Sequence, residues 1–204
     1  MAMWKMCMRV WLVENSLFNE NTIMIFKKLF LPLLLTACSF SALAQAELAT
    51  IPSLNVPRYM GTWYEVAKYP NRFQKNCASN TSAVYEAQSN GIVRVTNRCT
   101  EEDGKVREAA GEARQIGNAT SPKLEVRFAP AWLSFLPFVW GDYWVIDLDA
   151  EYQLAAVSEP SREFLWILSR TATPNNLAYN QLMERLAKKG FDLKKMEVSR
   201  QSRP

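Results

Sequence analysis

From Gly61 to Arg170 the chain is cut by turn-forming residues into short segments that are either alternating or wholly apolar, and this segmentation restricts the fold more than any other feature. The segments cover roughly 61–69, 80–88, 92–99, 105–115, 122–129, 142–148, 152–158 and 163–170. Between them stand Ser89-Asn90-Gly91, Glu102-Asp103-Gly104, Asn118 to Pro122, Asp149-Ala150 and Pro160-Ser161. Gly and Asn tolerate positive φ and Pro presets its own, so these groups read as tight turns. A tight turn joins antiparallel neighbours, whereas a parallel pair needs a crossover of about a dozen residues or more. The expected fold is therefore all-β, an eight-stranded antiparallel up-and-down barrel, whose closure leaves no edge exposed. Which parity of residues faces inward does not follow from the pattern.

Helical periodicity comes only after the eighth segment. Thr173 reads as the cap and Pro174 as the first helical position, with Leu177, Leu182, Met183 and Leu186 on one face and Gly190 as the stop. This single C-terminal α-helix is expected to pack on the outside of the barrel. The segment from Phe191 to Val198 reads as a short added strand.

Composition removes whole classes of function. Among 204 residues there is no histidine, which takes away the commonest general base and the usual zinc and haem ligand. No metal and no cofactor is expected, and the chain is read as a non-enzyme. A net charge of +4, spread along the sequence, lacks the basic stripe of a nucleic-acid binder, so no nucleic-acid partner is expected.

The front of the chain reads as an address. Residues 1–23 show no usable periodicity and precede a complete signal beginning at Met24, with Lys27 and Lys28 ahead of an apolar run. Two cleavage sites compete within 24–44. Leu35-Thr36-Ala37-Cys38 resembles a bacterial lipobox, which would lipidate Cys38, and Ala42-Leu43-Ala44 fits ordinary signal cleavage. The domain proper is expected over 50–200. It keeps Cys77 and Cys99, an even pair in an oxidising compartment, which we expect to form a disulfide; two free buried thiols are the competing reading.

Arg58 to Ala67, with Gly61-Thr62-Trp63-Tyr64-Glu65 at its centre, resembles the lipocalin signature G-x-W. Gly141-Asp142-Tyr143 and Leu165 to Arg170 resemble the second and third blocks of that family, in order, so the resemblance covers about residues 54–200. It points in particular to the bacterial outer-membrane lipocalins, which are similar to apolipoprotein D and to plant temperature-induced lipocalins. The resemblance implies a ligand-carrying barrel in the cell envelope, anchored at the outer membrane or soluble in the periplasm, that binds, stores or transports a lipid or fatty acid and supports membrane maintenance. It further implies that Gly61, Trp63, Tyr64, Asp142, Tyr143 and Arg170 close the barrel, with Arg170 lying against Trp63 at the base.

If the first strand leaves that base, the connections after odd-numbered strands lie at the mouth: about 70–79, 100–104, 130–141 and 159–162. Candidate ligand contacts are Ala83, Tyr85, Val95, Ala109, Phe128 and Tyr143 within the calyx, and Trp132, Phe135, Phe138 and Trp140 in the uncharged mouth loop. That loop reads equally as a lid or as a contact with a membrane surface. The run Ala109 to Ala113 suggests space for a ligand, and Glu65, Glu108 and Glu112 are candidates for inward carboxylates. Two other functions stay open: a lipid-modifying or isomerase-type enzyme using a thiol or buried carboxylate, and an interaction module built on the apolar mouth.

Overall fold

A computed structural model describes residues 47–202. The expectations for residues 1–23, for the signal segment and for Cys38 lie outside these residues. A short helix α1 (Val56–Tyr59) leads into β1 (Gly61–Lys68), followed by β2 (Cys77–Ala87), β3 (Val93–Glu101), β4 (Val106–Gln115), β5 (Lys123–Arg127), β6 (Gly141–Leu148), β7 (Leu154–Ser158) and β8 (Leu165–Ser169). Helix α2 (Asn176–Lys188) and a two-residue β9 (Glu197–Val198) complete the order.

Every strand from β2 to β8 pairs antiparallel with its sequence neighbour, β8 pairs with β1, and β1 pairs with β2. The sheet is thus a closed eight-stranded barrel, as the turn chemistry requires. Strand β2 starts at Cys77, three residues earlier than the hydrophobic pattern suggests. Its polar first half is held by irregular pairing to β3 and by Asn80, which adopts φ 54° at the irregularity; Asn is among the few non-glycine residues that accept this conformation.

The wall separates two cores. Inside, Leu54, Tyr59, Trp63, Tyr85, Val95 and Leu168 belong to a cluster at the closed end. Outside, Val66, Ala67, Ile146, Ile167, Leu182 and Leu186 pack between barrel and α2. Two β-bulges make this possible. In β1 the register slips between Glu65 and Ala67, and in β6 between Val145 and Asp147. Consecutive residues Val66 and Ala67 therefore both join the outer cluster, and strict alternation is lost where the strands curve.

Helix α2 differs from expectation at its start. Its cap is Asn175, whose side chain accepts from the Ala178 N–H, and Thr173 and Pro174 precede it. Leu177 points to solvent at 68 % exposure; the buried face is Ala178, Leu182 and Leu186, spaced by four. Asp147 in the β6 bulge accepts two hydrogen bonds from Arg185, at 2.8 and 2.9 Å, which tie helix to barrel. Gly190, at φ 86°, ends the helix where only glycine is comfortable, and Phe191 folds back so that its N–H reaches Leu186 O.

Beyond Tyr64 and Ser82, β1 and β2 no longer pair. The C-terminal tail fills the seam: β9 pairs with Ala67 and Lys68, Ser199 N–H donates to Val66 O, and the Gln201 amide donates to both Glu65 O and Thr81 O. Among the described residues no helix is long and apolar enough to cross a membrane.

Candidate functional site: an apolar calyx

The barrel encloses a cavity of about 1180 Å³. Its floor is aromatic. Trp63 is fully buried, donates its indole N–H to Tyr59 O at 2.8 Å, and lies 4.9 Å from the Tyr59 ring. Beneath it, the Arg170 guanidinium carbon sits 3.9 Å from the Trp63 ring centre and the group donates to Thr62 O and Arg58 O, both at 2.9 Å. Cation and indole attract, and the planar fork satisfies carbonyls at the strand start and at the end of α1. Gly61, at φ 93°, leaves room there: a Cβ would come within 3.4 Å of Arg170 Nη1. The leader closes the same end, with Leu54 buried and its N–H donating to Thr120 O.

Of the closing residues implied by resemblance, two lie elsewhere. Tyr64 is half-buried and alternates with the inward Trp63, on the outer face. Asp142 is exposed at the rim of the open end, because β6 enters the barrel from the mouth and its first residues cannot reach the base. Tyr143 does reach down: its hydroxyl meets those of Tyr59 at 2.9 Å and Tyr85 at 3.0 Å. Burial raises all three phenols, Tyr85 to about 12.

Of the candidate calyx residues, Ala83, Tyr85, Val95, Ala109, Phe128 and Tyr143 all border the cavity. The small residues near Ala109 have a different use at one position. A Cβ on Gly111 would lie 2.6 Å from Arg127 O and 2.7 Å from the Phe128 ring, so the glycine admits Phe128 against the strand. Of the candidate carboxylates, Glu108 and Glu112 face outward, paired with Arg98 at 2.7 Å and Arg127 at 2.5 Å. Glu65 faces inward and is almost wholly buried. Its carboxylate accepts from the Gln74 amide and the Ser199 hydroxyl, and burial nevertheless holds its pKa above the usual carboxylate value.

The connections after β1, β3, β5 and β7 stand around the open end, where Arg72, Lys75, Arg107, Phe138 and Glu163 line the cavity. Cys77 and Cys99 form a disulfide bracing β2 and β3 there, with Cα atoms 5.5 Å apart. The mouth loop does not fold inward as one piece. Phe138 borders the cavity yet is 79 % exposed, while Trp132 and Phe135 lie outside it, 73 % and 75 % exposed. Trp140 touches the rim, but its ring packs on the outer-face Arg114 at 4.1 Å, and its indole N–H donates to Ser134 O.

Several residues of the site lie outside the expectations drawn from the sequence. Trp166 stacks on Phe164 with ring centres 5.7 Å apart and donates to Gln74 Oε1 at 2.9 Å, forming one cavity wall with Phe73. Alternation within β8 could have found Trp166. Gln74 and Ser199 become visible only once the chain has closed. Among the described residues no three metal-ligating side chains cluster.

Comparison with known proteins agrees with this geometry. The profile of the family described as a lipocalin-like domain matches residues 54–201. Temperature-induced lipocalin-1 of Arabidopsis thaliana is 40% identical over 158 residues, 76% of this chain and 84% of the relative. Outer membrane lipoprotein Blc of Escherichia coli (strain K12) is 35% identical over 163 residues, 79% of this chain and 87% of the relative. Among solved structures, insecticyanin from the tobacco hornworm Manduca sexta aligns with a TM-score of 0.60 at 17% identity, over 76% of this chain and 85% of that one. That similarity speaks to the fold alone.

Proposed function

We propose, on the premise that the chain belongs to the lipocalin family, that it binds and carries one lipid-like molecule, a fatty acid, lysophospholipid or phospholipid, in the calyx. The observation that carries this reading is the cavity of about 1180 Å³, closed over Trp63 and open among exposed aromatic side chains. It exceeds the roughly 300 to 1,000 Å³ of most small-molecule sites. Its walls favour hydrocarbon, whose burial contributes about 25 cal/mol per Å². Nothing in this role requires chemistry. Both thiols of the domain are spent in the disulfide, which takes the thiol route away from the enzyme reading.

The relation to an outer membrane lipoprotein favours a place in the cell envelope, with a lipid anchor at Cys38 as the route of attachment. Trp132, Phe135 and Phe138 are exposed beside the entrance, which suits the mouth loop to touching a bilayer while cargo passes.

Native mass spectrometry of the mature protein, together with displacement of a fluorescent fatty acid, tests the ligand reading. A bound lipid and micromolar or tighter displacement are expected; no binding of fatty acid or lysophospholipid in either assay refutes it. Anionic or zwitterionic vesicles should shift the tryptophan emission to the blue, and an unchanged spectrum with both argues against docking by the mouth loop.

A further inference from the structure

At the floor of the calyx the Tyr143 hydroxyl lies 2.9 Å from that of Tyr59 and 3.0 Å from that of Tyr85, and all three side chains border the cavity. Each phenol brings one O–H donor. Three protons are thus spread over two oxygen–oxygen contacts, and one proton is left over however the bonds are directed. If both outer phenols donate to Tyr143, its own proton is spare. If the donors run one way along the row, the proton at the end is spare. Among the described residues no further acceptor is hydrogen-bonded to any of the three.

Ionisation does not dispose of this proton, because burial keeps all three phenols neutral at ordinary pH. The positive Arg170 guanidinium acts on Tyr59 and Tyr85 from below. The closed end of a greasy calyx therefore offers one buried donor in a favourable field for electron-rich oxygen.

We propose that the Tyr59, Tyr143 and Tyr85 hydroxyls form an acceptor-binding site that takes the carboxyl or carbonyl oxygen of a long-chain ligand entering head first. This rests on the reading of the calyx as a lipid site and deepens it. In the open calyx a water can accept the spare proton. A ligand oxygen replaces that water's bond, whereas a terminal methyl group would displace the water and leave the donor unpaired. The hydrocarbon then runs past Val95 and Val126 toward Phe138. The site selects chains whose polar end is small, such as free acids, aldehydes and ketones, over phospholipids, whose large charged headgroup is costly to bring through an apolar cavity.

The test uses the mature chain with oleic acid carrying 13C at either the carboxyl or the terminal methyl carbon, in the presence of a soluble gadolinium chelate. The methyl signal is expected to broaden more than the carboxyl signal. The carboxyl shift is expected to depart from the titration of the free acid, since burial disfavours the charged form and moves its pKa upward. A carboxyl signal that broadens more than the methyl, or that titrates as in water, overturns the proposal and leaves the proposed function standing. Failure of the native chain to bind either oleic acid or diphenylhexatriene, a probe without oxygen, overturns both.

Combining Tyr59→Phe, Tyr85→Phe and Tyr143→Phe should weaken oleate binding about tenfold or more, with diphenylhexatriene affinity held. Equal effects on the two probes, or none, overturn the proposal. If the combined variant does not fold, the relaxation measurement on the native chain decides.

Discussion

Glu65 shows what one residue in a barrel wall can impose. A charged carboxyl is expensive to bury, and although Ser199, Gln74 and Lys68 favour its ionised form, burial outweighs them and raises its pKa. The folded state then holds the Glu65 proton more tightly than the unfolded chain does. This contribution to stability is complete below the ordinary value of 4.5 and is lost as pH rises through the higher native value. Glu65→Gln keeps the size of the side chain and does not titrate. In urea titrations across this range, the native protein is expected to lose stability relative to the variant as pH rises from 4.5 upward. A difference between the two that is independent of pH refutes this.

Among the elements, β2 and β3 illustrate how covalent and sheet pairing share a task. The first half of β2 is polar and irregularly paired, and it borders the mouth, where loops contribute little packing. The Cys77–Cys99 bridge fixes it there, across a sequence separation of 22. A loop of that size, once closed, stabilises by about 3 kcal/mol through the entropy of the unfolded chain. Replacing Cys77 and Cys99 together by Ser is expected to lower unfolding free energy by roughly that amount, measured by chemical denaturation. The loss should concentrate at the rim: amide exchange is expected to quicken near Ser79 and Thr100 while Val145 and Val157, deep in the wall, stay protected. Uniform acceleration would contradict the assignment of the bridge to the mouth.

At the scale of the whole molecule, one guanidinium ties together the elements that meet at the base. Arg170 follows β8 and joins α1, the start of β1 and the turn before β7 through Arg58 O, Thr62 O and Tyr152 O. Lysine keeps the charge but cannot present a planar fork to several carbonyls. Arg170→Lys is therefore expected to destabilise the barrel by about 2 to 4 kcal/mol, read as a fall in Tm. Ligand stoichiometry should hold at low temperature, because the cavity residues are untouched. Unchanged Tm would show that the base is closed by the aromatic floor alone.

Much of this architecture is legible in one dimension because turn chemistry and hydrophobic period are local properties. The turn formers at Asn90-Gly91 and Asp103-Gly104 dictate hairpins wherever they occur, so strand number, order and antiparallel pairing follow from the chain itself, and Cys77 and Cys99 pair as expected. What lies inside the barrel is another matter. The bulges after Glu65 and Val145 shift parity through sheet curvature, which no local pattern encodes. Gly111 reads as free space until Phe128 is folded onto it, and Asp142 reads as a closing residue until β6 is seen to enter from the mouth. Tyr59, Tyr85 and Tyr143 lie on three elements far apart in the chain, and their hydroxyls meet only because the barrel closes around them. Sequence alone therefore determined the barrel and the order of its strands, and tertiary structure decided the calyx, because a cavity is defined by the distances between elements.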